Sequence, residues 1–250
     1  MKRPETTTLM MVTYNRLDHT KRTIDGLKKS VDIPYKFVIV DNNSTDGSVE
    51  FLEDFAKQNA NVHLIKNSEN KGIGVARNQG LAAANDLDTD WYCTIDNDVE
   101  MPDGWLSDCI DILKNNAAFG CMGVNMEPNP YPMVEMNGRK FQLKPNGNLG
   151  TASLVFNKKL IKLLGSFNIE YGLYGMEDSD FGMRIRVLGL KMGYVEKMGT
   201  HFGGNEVVEN NPYRQFKTKT HDENLALFHS NCYKYIQHQR PLYIPLRVSK

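Results

Sequence analysis

An α/β fold built on a mainly parallel sheet follows from three observations. Short β-prone runs and helical patterns alternate strand, helix, strand, helix, strand, helix, strand from Thr6 to Ile95, and parallel strands need such crossovers. Strands run straight into polar or glycine-bearing loops, Asp41-Asn42-Asn43-Ser44-Thr45-Asp46-Gly47-Ser48 and Asn70-Lys71-Gly72-Ile73-Gly74. The fourth strand breaks off into Asp96-Asn97-Asp98, and open α/β sheets bind their ligands at the carboxyl ends of strands.

Each element has its own justification. Thr6 to Thr13 reads as the first strand, and Leu17, Ile24 and Leu27 anchor a helix that runs to Lys29. Lys36 to Val40 is the second strand, leading through the polar loop to a helix over Val49 to Lys57. Val62 to Lys66 is the third, and Arg77 falls in the first turns of the helix that follows. After Trp91 to Ile95, the stretch Glu100 to Asn116 predicts a helix with Pro102 near its start and Trp105, Leu106, Cys109, Ile110 and Leu113 on one side. Phe119 to Met126 returns as a strand. Glu127 to Gly147, rich in Pro, Asn and Gly, reads as a long loop with one short hairpin at most, a length that suits a functional lid or a disordered segment. Thr151 to Phe156 is a strand, and Asn157 caps a helix through Leu164. A helix from Glu177 to about Leu188 carries Phe181, Ile185 and Leu188 on one face and an Asp180/Arg184 pair at i,i+4. Met192 to Glu196 is the last strand, closing at Gly199-Thr200-His201-Phe202-Gly203-Gly204.

Bulk composition narrows the function. The chain has 250 residues, and its 30 basic and 30 acidic side chains cancel, so no global field advertises a nucleic-acid or membrane partner. Cys93, Cys109, Cys121 and Cys232 are scattered and form no C-x-x-C pair, which points to reduced thiols, no zinc cluster and a cytoplasmic location. No segment approaches the ~20 apolar residues that span a bilayer, so a soluble protein is expected.

The chemistry-bearing residues have two readings each. Asp96 and Asp98 suit a hard divalent cation, which in turn holds a diphosphate; acidic turns after strands also form for local hydrogen-bonding reasons. Asp41, at the carboxyl end of its strand, is placed to accept hydrogen bonds from a base or ribose, whereas Ser44, Thr45 and Asp46 serve equally as helix caps. The glycines around Arg77 match neither G-x-G-x-x-G nor G-x-x-x-x-G-K-[ST], yet backbone N–H groups, a helix N-terminus and a guanidinium suit an anion. Glu177 and Asp178 fit the first helical turn, where the macrodipole favours acids, and a carboxylate after an aromatic, glycine-rich approach also suits a general base beneath a sugar hydroxyl. The histidines other than His201 carry no such context.

In order along the chain, Thr13-Tyr14-Asn15-Arg16, Val40 to Ser48, Asn70-Lys71-Gly72 through Ala76-Arg77-Asn78, Asp96-Asn97-Asp98, Tyr174-Gly175-Met176-Glu177-Asp178 and His201 resemble the family 2 glycosyltransferases of the GT-A fold over roughly residues 6 to 204. The resemblance implies a nucleotide-binding sandwich and a nucleotide-sugar donor bound by Thr13, Asn15, Arg16, Asp41, Asn43, Lys71, Gly72, Arg77, Asp96 and Asn97. It also implies Mn²⁺ or Mg²⁺ on Asp98, His201 and Asp96, as in the family's DxD motif. Asp178 would be the base and Glu177 an acceptor contact, with those roles exchangeable. Asn97 at the middle of the trio leaves two carboxylates to face the ion.

The expected activity is metal-dependent, inverting transfer of one sugar from a nucleotide-diphosphate sugar, UDP-sugars favoured, to an acceptor hydroxyl of a glycan or, less strongly, of a hydroxymethylated DNA base. The alternative is a nucleotidyltransferase or nucleotide-sugar hydrolase on the same fold. Residues 1–204 form the transferase domain in this reading and 205–250 a helical C-terminal extension. From Pro212 onward that extension has seven basic against two acidic residues, interleaved with Tyr213, Phe216, Tyr233, Tyr235 and Tyr243. It fits an anionic acceptor such as DNA or, more simply, a solvated face.

Overall fold

The computed structural model describes residues 3–146, 149–150, 152–203 and 212–246, with backbone only for 212–218. Nine strands form one sheet in the order β3-β2-β1-β4-β9-β6-β10-β8-β7. The first block is parallel: β1 (Thr7–Thr13), β2 (Lys36–Asp41), β3 (Val62–Lys66) and β4 (Trp91–Ile95), joined by α1 (Leu17–Ser30), α2 (Ser48–Gln58) and α3 (Ile73–Asp86). Beyond β4 lie β9 (Ser153–Asn157), β6 (Phe119–Asn125), β10 (Lys191–Met198) and the hairpin β7 (Met133–Met136) and β8 (Arg139–Lys144). Only β9 and β8 oppose the common direction, so the sheet is mainly parallel.

Alternation along each strand feeds two cores, one per face. Leu9, Met11, Phe37, Ile39, Cys93 and Ile95 pack with Ile24 and Leu27 of α1, Leu52 of α2, and Trp105 and Leu106 of α4 (Trp105–Asn115). Met10, Val38, Val40 and Tyr92 point the other way, onto Ala76 and Leu81 of α3, Leu160 and Leu164 of α5 (Lys158–Leu164), and Phe181 and Ile185 of α6 (Glu177–Val187). Each fully buried Val, Leu, Ile, Phe or Met among them is worth about 1.5–3 kcal/mol.

Two expectations are corrected. The helix read from Glu100 begins at Trp105, because Val99–Glu100 forms a short strand, β5, and Gly104 turns the chain at φ 71° ahead of the helix. The short hairpin allowed for in the long loop is present as β7–β8, but not on a free lid: its Phe141 to Lys144 pair with Met192 to Val195 of β10 and extend the sheet. Its fully buried Phe141 and Gln142 draw it into the core. Residues 147, 148 and 151 of the stretches read as loop and strand lie outside the described residues.

The last described elements close around α6. Helix α7 (Pro212–Ile236) is followed by a tail whose Ile244 N–H donates to Leu164 O (2.9 Å) and whose Ile244 O accepts from Ser166 N–H (2.8 Å). The Asp180/Arg184 pair is completely buried, with Arg184 Nε donating to Asp180 Oδ1 at 2.7 Å. Arg184 also donates to Leu164 O, Ser166 O and Leu242 O, while Asp180 Oδ2 accepts from Tyr171 and Tyr235 hydroxyls at 2.9 and 3.0 Å. A buried charge is tolerated only when its hydrogen-bonding capacity is filled, and here the partners come from the end of α5, the segment after it, α7 and the tail together. Among the described residues no helix is long and apolar enough to cross a membrane.

Candidate active site

The carboxyl ends of β1, β2 and β4, the start of α6 and the final two-residue strand β11 (Thr200–His201) surround one cleft of about 590 Å³. Thr13, Arg16, Arg77, Asp96, Asn97, Asp98, Glu177, Asp178 and His201 all line it. Residues separated by more than 180 positions thus meet at the end of the sheet that the topology predicts.

Asp96 and Asp98 leave β4 as it ends, and β11 brings His201 across by pairing antiparallel with β5 in the register His201 to Val99. Phe202 N–H clamps the turn by donating to Asp98 O at 2.9 Å. Asp98 Oδ1 lies 3.2 Å from His201 Nε2, and its Oδ2 lies 2.5 Å from Arg16 Nη1. Gly203 covers this pair so closely that a Cβ there would overlap Asp98 Oδ2. One donor atom each from Asp96, Asp98 and His201 falls within 4.8 Å of the others. For a hard cation with oxygen and imidazole ligands at about 2.0–2.6 Å, opposite ligands stand about 4–5 Å apart, so the donor set fits Mg²⁺ or Mn²⁺ in size and chemistry.

Arg77 rises from the first turn of α3 and is buried between acids. Its Nη1 donates to Glu177 and its Nη2 to Asp96 Oδ1 at 3.1 Å. Burial pushes the Glu177 carboxyl up and Arg77 pulls it down; burial prevails, helped by Asp178 and Asp96, and the pKa sits at about 7. Glu177 Oε2 is buried with no hydrogen-bond partner. Asp178 is more open: its Oδ1 accepts from Ser179 N–H at 2.6 Å, which leaves Oδ2 toward the cleft near Gly150. Asn97 donates to the hydroxyls of Thr13 (3.1 Å) and Thr20 (3.0 Å), tying the middle of the acidic trio to α1.

Five expected donor contacts shape the cleft wall without lining it. Asn15 adopts φ 49° and accepts from Thr45 N–H at 2.6 Å, so its amide locks the β1 and β2 loops together. Asp41 is fully buried, with Oδ2 accepting from Ser44 N–H at 2.9 Å and Oδ1 unpartnered. Asn43, at φ 72°, turns the loop. Lys71 N–H donates to Asn42 Oδ1, and Gly72, at φ 84°, lies against the 172–173 backbone, where a Cβ would stand 2.8 Å from Leu173 Cα. The lining falls to their neighbours Tyr14, Asn42, Asn70 and Ile73. His221, set aside in the sequence, also lines the cleft; one turn further on, Asn224 Nδ2 fastens α7 to Tyr171 O and Tyr174 O at 2.7 and 3.0 Å. Arg214, Lys217, Tyr213 and Phe216 of the basic extension have side chains outside the described residues.

Known proteins resemble the chain in sequence and in fold. The family model described as glycosyl transferase family 2 matches residues 8–183. The putative teichuronic acid biosynthesis glycosyltransferase TuaG of Bacillus subtilis is 26% identical over 118 residues, covering 45% of this chain and 44% of that protein. This chain therefore spans less than half of that relative's length. The N-acetylglucosaminyl-diphospho-decaprenol L-rhamnosyltransferase of Mycobacterium tuberculosis is 23% identical over 226 residues, 75% of this chain and 72% of that protein. The structure of the mannosyltransferase PcManGT from Pyrobaculum calidifontis, in complex with GDP-Man and Mn²⁺, superposes with a TM-score of 0.61 at 16% identity over 93% of this chain and 74% of its own. At that identity the likeness speaks for a shared GT-A fold.

Proposed function

Because the chain belongs to glycosyl transferase family 2, we propose that it moves a single sugar from a nucleotide-diphosphate sugar to an acceptor hydroxyl, with inversion and with the help of Mn²⁺ or Mg²⁺. The observation that carries this reading is the convergence of Asp96, Asp98 and His201 with Arg77, Glu177 and Asp178 in one cleft. Asp96, Asp98 and His201 would hold the ion, which supplies positive charge against the departing diphosphate. Arg77 adds a fixed positive charge beside it, held in place by Glu177.

Asp178 is the general base in this reading and Glu177 its buried neighbour. A base must be ionised and must reach the hydroxyl; Asp178 is the more open of the two, whereas Glu177 is committed to Arg77 and carries a raised pKa. The buried, unpartnered Oδ1 of Asp41 is the acceptor we assign to the nucleobase, with Asn42, Asn70 and Thr13 along the ribose and base and Asn15, Asn43, Lys71 and Gly72 holding the loops in shape. UDP-sugars remain the favoured donors and a glycan hydroxyl the favoured acceptor, with DNA second. The division at residue 204 belongs to the same reading, α7 contributing the acceptor side through His221.

The test is a panel of UDP-, GDP- and dTDP-sugars with Mn²⁺, scored first by protection against thermal unfolding. Products are then examined by NMR for anomeric configuration. Transfer with inversion is expected; free sugar or pyrophosphate exchange without any acceptor would instead establish a hydrolase or nucleotidyltransferase.

A further inference from the structure

Arg16 occupies a position that the donor-binding reading does not explain. Its guanidinium is spent on Asp98 Oδ2, at 2.5 Å, the same carboxylate that stands in the candidate cation site. The pair is largely shielded, with side-chain exposures of 24% for Arg16 and 10% for Asp98, and the Gly203 backbone covers it. Asp96 has the matching arrangement with Arg77. Each ligand carboxylate thus already holds a guanidinium.

The two arginines differ in freedom. Arg77 is buried and forked between Asp96 and Glu177, so it cannot leave without stranding Glu177. Arg16 is more exposed and sits at the N-cap of α1, with Asp98 as its ion-pair partner. Its side chain can swing into the cleft without disturbing the helix.

Charge accounting then makes a bare divalent ion a poor ligand here. An ion on Asp98 Oδ1, beside His201, would share the carboxylate with the guanidinium on Oδ2, a like-charge contact that costs heavily where water is scarce. A diphosphate changes the balance, because guanidinium binds phosphate oxygens in forked geometry. Arg16 passes from carboxylate to phosphate as the ion passes onto the carboxylate, and every charge keeps a partner.

We propose that Arg16 is the resident counter-cation of Asp98, exchanged for the divalent ion only when a nucleotide diphosphate arrives to receive it. Metal and donor then bind with a positive coupling that Arg16 sets, and the coupling is reciprocal. The inference rests on the metal-assisted reading above.

The experiment titrates Mn²⁺ into the full chain, following free Mn²⁺ by electron paramagnetic resonance, alone and with saturating UDP or GDP. Wild type is compared with Arg16→Gln and with Arg16→Met, which keeps the apolar stem, each checked for folding by thermal unfolding. Mn²⁺ alone is expected to bind either variant about tenfold more tightly than wild type, the scale of one charge-assisted hydrogen bond. The factor by which the better of UDP and GDP tightens Mn²⁺ should shrink correspondingly. Equal or weaker Mn²⁺ binding by the variants overturns the proposal, as does wild-type binding that neither nucleotide tightens. Asp98→Asn separates the two levels: if it binds Mn²⁺ as wild type does, the metal site itself is misplaced, whereas its loss beside unchanged Arg16 variants refutes the counter-cation alone.

Discussion

Arg77 and Glu177 form an ion pair buried in the cleft wall, and the second arm of the same guanidinium reaches Asp96 Oδ1 at 3.1 Å. One side chain therefore ties the acidic start of α6 to the acidic end of β4. Replacing it disturbs both, so Arg77→Ala should cost about 3–5 kcal/mol of stability by leaving Glu177 buried without its partner. Urea unfolding measures this, and Arg77→Ala with near wild-type stability would show the pair to be dispensable.

The pair also imposes a pH dependence. Glu177 has a folded pKa of about 7, above its unfolded value, because burial disfavours the charge. The folded state therefore holds the proton more tightly between about pH 4.5 and 7, and the contribution of Glu177 to stability falls as pH rises through that window. Comparing urea unfolding of wild type and Glu177→Gln from pH 5 to 8 should show wild type losing ground to the variant with increasing pH. A difference independent of pH, or of opposite slope, rejects the raised pKa.

Asp178 and Glu177 are separable by kinetics. Asp178→Asn should lower kcat by about 100- to 10,000-fold, the usual range for a lost general base, while donor affinity stays within a few fold. Calorimetric donor binding alongside initial rates decides it; a variant that keeps its full kcat removes Asp178 from the base role.

Gly72 is the point where the loop before α3 packs on the backbone of the approach to α6. It combines φ 84° with a notional Cβ 2.8 Å from Leu173 Cα, so Gly72→Ala meets both a strained conformation and a backbone clash. A loss of about 2–4 kcal/mol in urea unfolding is expected, accompanied by weaker donor binding.

Tyr235 tests the docking of α7. Its hydroxyl donates to the buried Asp180 Oδ2 at 3.0 Å, so Tyr235→Phe should cost about 1–3 kcal/mol. Asp180→Ala should cost more, about 3–5 kcal/mol, because Arg184 is then left uncompensated in the core.

Much of this arrangement is legible in the residues. The run Trp91 to Ile95 ending in Asp96-Asn97-Asp98 announces its strand and its candidate cation donors together, and Arg77 announces itself by following glycines into a helix. Which member of each loop faces the cleft is not legible. Asn42 rather than Asp41, and Asn70 rather than Lys71, line it, in loops that also hold the positive-φ residues Asn43 and Gly72, and such loop conformations depend on contacts with other loops. The prolines around the β7–β8 hairpin hide its place in the sheet, which comes from pairing with β10, about fifty residues away. His221 sits on a helix tied down by Asn224 and by the buried Asn231 and Tyr235, with little periodic pattern to mark its inward side.

The two-residue ribbon of β5 and β11 has a bearing on how the chain matures. Asp96 and Asp98 emerge about a hundred residues before His201, and only pairing of Thr200–His201 with Val99–Glu100 brings the imidazole to them. A half-synthesised chain would present Asp96 and Asp98 without the imidazole that completes the group. The three candidate donors therefore come together only once the C-terminal third has folded back, so Mn²⁺ binding at the proposed centre would report that assembly is complete.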